Sequence, residues 1–151
     1  MANTYSQLYI QIIFAVKNRD ALIKECNRDE IEKYISGIVN NYKCKTFAIY
    51  CNPDHTHILI SLHPSIAISD LVREIKASSS KFIKNRFNHL SFSWQEGYGS
   101  FSYSQSQVDS VVRYIHNQLQ HHTQREFKEE FLDILHKLGI EYDEKYLFKW
   151  I

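Results

Sequence analysis

Two short motifs in this chain carry residue types suited to chemistry. His55-Thr56-His57 sets two imidazoles two residues apart, and Gln118 follows Tyr114 by four residues. In a strand, side chains at i and i+2 share a face, so His55 and His57 can reach one metal ion. In a helix, residues at i and i+4 are neighbours, which sets the Tyr114 phenol beside the Gln118 amide. Cutting a phosphodiester needs a nucleophile and charge stabilisation on the phosphate oxygens. With a pKa near ~10, tyrosine is a weak nucleophile unless a metal or a nearby charge activates it or polarises the phosphate. A divalent ion held by His55, His57 and the Gln118 carbonyl oxygen would keep positions open for those oxygens. Two imidazoles suit Mn²⁺ better than Mg²⁺ by softness, and zinc is compatible with the same ligands. Each motif alone is commonplace; their joint occurrence in a short chain is what points to this chemistry.

Hydrophobic periodicity supplies the elements that must position these residues. Leu8 to Val16 alternates as a strand. Asn27, with Glu30 three residues on, has the pattern of a capping box, followed by a helix over about 28–43. Thr46 to Cys51 and His55 to Leu62 form two strands joined by an Asn52-Pro53-Asp54 turn. On the second of these, Thr56, Ile58 and Ile60 point to the helices and the two histidines to the other face. Ser69 is the expected N-cap of a second helix whose stripe is Leu71, Val72, Ile75, Phe82 and Ile83. Its Ser78-Ser79-Ser80 run leaves room for close approach of another backbone or of DNA. Ser100 to Ser104 reads as a fourth strand. Ser106 with Asp109 then opens the helix bearing Val108, Val111, Val112, Tyr114, Ile115 and Leu119. A last helix carries Phe127, Phe131, Leu132, Leu135 and Leu138 and ends at Gly139. The aromatic-rich tail from Ile140 is expected to pack down. The order β-α-β-β-α-β predicts an α+β, ferredoxin-like split β-α-β fold. It would be an antiparallel sheet with helices on one face, the other face open, and a C-terminal tyrosine-bearing helix.

With 151 residues, 44% of them hydrophobic, and only four glycines and two prolines, a single domain over 1–151 is expected. There is no apolar run of the ~20 residues a membrane helix needs and no basic-then-apolar N-terminal signal. Three cysteines without a C-x-x-C pair fit a reducing, cytoplasmic setting. The net charge of +1 hides an uneven distribution. From Asp70 to Arg86 five bases face two acids, and from Glu126 to Lys145 seven acids face three bases. Arg73, Lys76, Lys81 and Lys84 are therefore candidate DNA-backbone contacts, with a solvated helix face as the plainer reading. His121-His122 is a weaker candidate for proton transfer or phosphate contact. No phosphate-binding glycine loop or serine-nucleophile motif is present, so nucleotide hydrolysis and acyl transfer have no support.

With these residues in place, the chain resembles the single-tyrosine HUH transposases of small insertion sequences, relatives of the REP-associated tyrosine transposases. The likeness runs from Tyr9-Ile10-Gln11-Ile12 through His55-Thr56-His57 and Ser69-Asp70-Leu71-Val72-Arg73. It continues in Trp94-Gln95-Glu96-Gly97-Tyr98-Gly99-Ser100-Phe101-Ser102, Tyr114-Ile115-His116-Asn117-Gln118 and Tyr142-Asp143-Glu144-Lys145-Tyr146-Leu147. Thr56 departs from the hydrophobic residue of the family name, on the face turned away from the metal. The resemblance implies that His55, His57 and Gln118 hold Mg²⁺ or Mn²⁺ and that Tyr114 attacks single-stranded DNA. The products would be a 5′-phosphotyrosine and a free 3′-OH. It also implies recognition of hairpins at element ends, and a homodimer whose sites are completed in trans. The competing readings are a replication-initiator-type nickase with the same chemistry, or an inactive hairpin-binding module. The latter would need no joint retention of Tyr114, Gln118 and both histidines.

Overall fold

Alternation of apolar side chains builds one four-stranded sheet from β1 (Tyr9–Ala15), β2 (Lys45–Cys51), β3 (His55–Ser61) and β4 (Gly99–Tyr103). Its order is β2-β3-β1-β4 and every neighbouring pair is antiparallel. The computed structural model describes residues 3–122 and 126–143. β1 and β3 are central, and nearly every residue on them is buried from both sides.

The first face carries Ile10, Ile12, Phe14, Ile58 and Ile60. They meet Ile31, Ile35 and Val39 of α1 (Glu25–Asn41) and Leu71, Val72 and Ile75 of α2 (Ile68–Arg86). Each such side chain contributes roughly 1.5–3 kcal/mol on leaving water, so this layer is the main core. α1 starts earlier than its sequence cap suggests: Lys24 is the N-cap and Asn27 lies inside the helix. Ala67 is the N-cap of α2, and Ser69 falls in its first turn. The triple serine does not break α2. Ser79 is buried, its hydroxyl donates to Ile75 O at 2.6 Å, and it accepts the Trp94 indole N–H at 2.9 Å. Its small side chain lets Trp94 seat against the helix.

The second face, expected to be open, is covered. α3 (Gln105–His116) lays Val111 and Ile115 on Ala48 and Leu59. α5 (Phe127–Lys137) lays Phe127, Phe131 and Leu135 on Ile13, Ala15 and Phe101. A sheet face bearing Ile13, Phe101 and Leu59 gains by leaving water, and these two apolar helix stripes are its complement. Ser104, not Ser106, is the N-cap of α3, with the Gln107 amide oxygen accepting its backbone N–H at 2.9 Å. α3 ends at His116, with Asn117 as C-cap, and the short α4 (Gln118–His122) follows. Gln118 therefore does not share Tyr114's helix, and Leu119, expected in the core, is 62% exposed. Gly139, at φ 65°, terminates α5 in the left-handed conformation that favours glycine. Residues 144–151 of the tail lie outside the described residues.

Lys76 holds the loop before β4. Its ammonium donates to Gln95 O at 2.8 Å and Gly97 O at 2.6 Å, while Gln95 N bonds Ala15 O at 2.8 Å. Burial pushes the Lys76 pKa down to about 8 against the opposing charge of Glu96. The unfolded chain keeps that proton up to about pH 10.5, so the unfolded state binds more protons between the two values. Stability should therefore rise as pH climbs from about 8 to about 10.5 through this residue. In Lys76→Met that part of the rise should be missing from urea unfolding measured across the window.

Candidate active site

Strand alternation turns His55 and His57 to the second face, where both are fully buried. Each ring is gripped at Nδ1. Asp54 Oδ1 lies 2.7 Å from His55 Nδ1, and Asp54 is itself approached by Arg19 at 3.5 Å. Gln11 Nε2 lies 3.0 Å from His57 Nδ1, and Gln11 Oε1 accepts the Tyr103 hydroxyl at 2.7 Å. Holding one nitrogen of an imidazole aims the other. Both Nε2 atoms consequently meet one carboxylate oxygen, Glu130 Oε1 of α5, at 3.4 Å from His55 and 2.9 Å from His57. The other oxygen of Glu130 accepts the Tyr114 hydroxyl in a very short hydrogen bond. Phe127 closes the cluster by stacking on His55, with ring centroids 4.0 Å apart.

Gln118 is also buried in this cluster. Its Oε1 accepts from Asn52 Nδ2 at 3.1 Å, and the same nitrogen lies 3.2 Å from His55 Nε2. A fully buried carboxylate without partners would cost several kcal/mol, and here two imidazoles and a phenol supply them. Burial opposes a charge on His55, but Asp54 and Glu130 outweigh it and hold the His55 pKa above its ordinary value.

These donors suit a divalent metal. His55, His57 and Glu130 offer atoms within 4.8 Å of one another, two imidazole nitrogens and a carboxylate oxygen. There is one condition. Gln11, oriented by Tyr103, presents its N–H to His57 Nδ1, which leaves the His57 proton on Nε2. Ligation through Nε2 requires the other tautomer, with Nδ1–H donating to Gln11 Oε1.

The structure brings Tyr114, His55, His57 and Gln118 together within one chain. Glu130 is not marked as a site residue by the acidic composition of its segment. It had a signal: three residues after Phe127 and one before Phe131, it sits inside the apolar face of α5. The basic residues of α2 are not part of the cluster, because α2 packs on the opposite side of the sheet. Arg73 pairs with Asp70 at 3.1 Å and Glu74 at 4.0 Å, Lys76 holds two carbonyls, and Lys81 is exposed. The side chains of His121 and His122 lie outside the described residues.

The sequence profile of the family described as transposase, IS200 like, matches residues 4–118. Among solved structures, one similar chain is a candidate transposase from Deinococcus radiodurans R1. It shares 22% identity, covering 78% of this chain and 95% of that one, with a TM-score of 0.65. Another is a REP-associated tyrosine transposase bound to a REP hairpin, at 16% identity, covering 81% of this chain and 73% of that one, with a TM-score of 0.60. At such identities the likeness concerns the fold. No curated protein sequence matches the chain.

The Gln11 contact yields a measurable expectation. Gln11→Leu removes the Oε1 that would accept the Nδ1–H of the ligating His57 tautomer, and outer partners of this kind are worth about 10–100-fold in metal affinity. Calorimetric titration with Mn²⁺ should show a loss in that range, with the fold retained by circular dichroism.

Proposed function

Because the chain belongs to the IS200-like transposase family, whose activity is DNA transposition, we propose that it cuts and rejoins single-stranded DNA at hairpin-bearing ends through Tyr114. The observation that carries this reading is the meeting of the Tyr114 hydroxyl and both imidazole Nε2 atoms on one buried carboxylate. His55, His57 and Gln118 would hold a divalent ion, Mg²⁺ or Mn²⁺, with Glu130 as a further oxygen donor. When bound, such an ion draws charge from the phosphate and eases departure of the 3′ oxygen.

The remaining chemistry falls to the chain. Tyr114 Oη forms a bond to the scissile phosphorus, and the bond to the 3′ oxygen breaks. A 5′-phosphotyrosine and a free 3′-OH result. The hydroxyl proton already has an acceptor in Glu130. Rejoining is the same exchange in reverse, with another 3′-OH attacking the phosphotyrosine, so no nucleotide hydrolysis is needed. Tyr114→Phe should fold and bind DNA but form no covalent adduct with a single-stranded end oligonucleotide. An adduct that persists in that variant would assign the nucleophile elsewhere.

Part of α5 must yield for this to happen while Glu130 stays within reach of Tyr114 and the histidines. Its Phe127 and Glu130 cover histidines that have no exposed surface, and a phosphate cannot reach them past that helix. Leu135→Ala weakens the seating of α5 by about 2–5 kcal/mol. It should speed both hydrogen exchange in α5 and adduct formation. Faster exchange with slower adduct formation would mean that α5 belongs to the working site as it stands.

Two ends must be cut and exchanged, so two tyrosines are needed, and a homodimer is part of the proposal. If each site is assembled within one chain, mixing Tyr114→Phe with His57→Ala subunits leaves one lesion in every site and restores nothing. Recovered activity would establish completion in trans.

A further inference from the structure

A cleft of about 470 Å³ lies on the molecule away from the histidines, between α2 and the loop leading into β4. None of its lining residues belongs to the cluster under α5. On one wall stand Trp94, Gln95 and Tyr98, on the other the first three turns of α2, including Ser69 and Arg73. Its volume falls in the range of small-ligand sites.

Three observations bear on the occupant. Gln95 is more than nine-tenths buried, yet its side-chain oxygen has no hydrogen-bond partner among the described residues. That oxygen is itself buried, so the amide must turn toward the cleft to meet a ligand N–H; a buried acceptor left without a donor costs about 1–3 kcal/mol, which the turn would recover. Tyr98 is 37% exposed and Trp94 lies deeper, an aromatic wall that suits a planar ring. At the mouth, α2 begins without a side-chain cap, leaving first-turn N–H groups at the positive end of a 19-residue helix. The Arg73 side chain beside it is 67% exposed and is shared between Asp70 at 3.1 Å and Glu74 at 4.0 Å, with Glu96 also in the lining, so a phosphate there must draw Arg73 from those acids. A flat base with an N–H on its edge, joined to a phosphate, satisfies all three features. A bare anion satisfies only the last.

We propose that this cleft takes one unpaired nucleotide of the DNA. Its base lies against Trp94, Gln95 and Tyr98, and its phosphate sits at the start of α2 beside Arg73. The site rests on the reading above that the chain handles single-stranded DNA, and it is a place for strand recognition separate from the chemistry. It also gives Arg73 a DNA contact, while Lys76 serves by holding the loop that forms the wall.

The test follows the Trp94 indole N–H, which bonds Ser79, the amides of 95–98 and those of the first turn of α2 by NMR in the full chain, Trp94→Phe assigning the indole signal. Three probes are titrated: thymidine 5′-monophosphate, inorganic phosphate, and a short thymidine oligonucleotide. The nucleotide and the oligonucleotide should both move the Trp94 and Tyr98 signals, and phosphate alone should move only the first turn of α2. Tyr98→Ala and Gln95→Leu should each weaken nucleotide binding, the former on the order of tenfold from lost stacking. Phosphate reproducing every shift would overturn the base site. A free nucleotide that binds while the oligonucleotide does not would overturn the assignment to DNA. Silence at Trp94 and Tyr98 with all probes would overturn the proposal entirely. The titration reads binding alone, so a wild-type chain that forms no adduct would overturn the cleavage reading and leave this one standing.

Discussion

One buried carboxylate organises the candidate site. Glu130 lies beneath α5, where a negative charge is tolerable only with close donors, and it has three: His55, His57 and Tyr114. Those donors are in turn held from behind by Asp54 and by Gln11 with Tyr103. Remove the carboxylate and two imidazoles and a phenol lose their common partner in a space without water. The packing of α5 and the geometry of the candidate catalytic groups are therefore one problem with one solution.

That solution has a consequence for access. The same apolar contacts that complete the second face of the sheet seal the histidines from solvent. Covering the face stabilises the fold, and uncovering part of it is what the proposed chemistry would require. α5 can bear this conflict because its hold combines one apolar stripe with a small polar cluster, and a divalent ion and a phosphate could replace the contacts of that cluster.

The sheet divides the labour. On one side lie the histidines, the tyrosine and Glu130; on the other lie α2, its bases and the cleft beside Trp94. At the sheet edge, β4 packs so closely under α5 that a Cβ added at Gly99 would stand 2.8 Å from the Phe131 ring. β4 thus links the loop that walls the cleft to the helix that covers the site.

Much of this was legible in the residues themselves. The period-two run in β1 and the helical stripes specified the order of elements, because one-sided burial imposes those periods. The H-x-H spacing placed two imidazoles on one face for the same reason. Tyr114 and Gln118 were legible as neighbours, although Asn117 ends the helix between them and it is burial, not a shared helix, that brings Gln118 near His55. Contacts between segments distant in the chain were not legible. Nothing local says that Glu130 crosses 73 positions to reach His57, that Gln11 selects its tautomer, or that Lys76 is committed to the loop at Gly97. A lone acidic, amide or basic residue looks solvated until packing removes the water around it. Local sequence periodicity determined the elements and which face each candidate residue occupies. Only the tertiary structure decided which of those faces meet, because that depends on how two helices divide the single apolar surface left over.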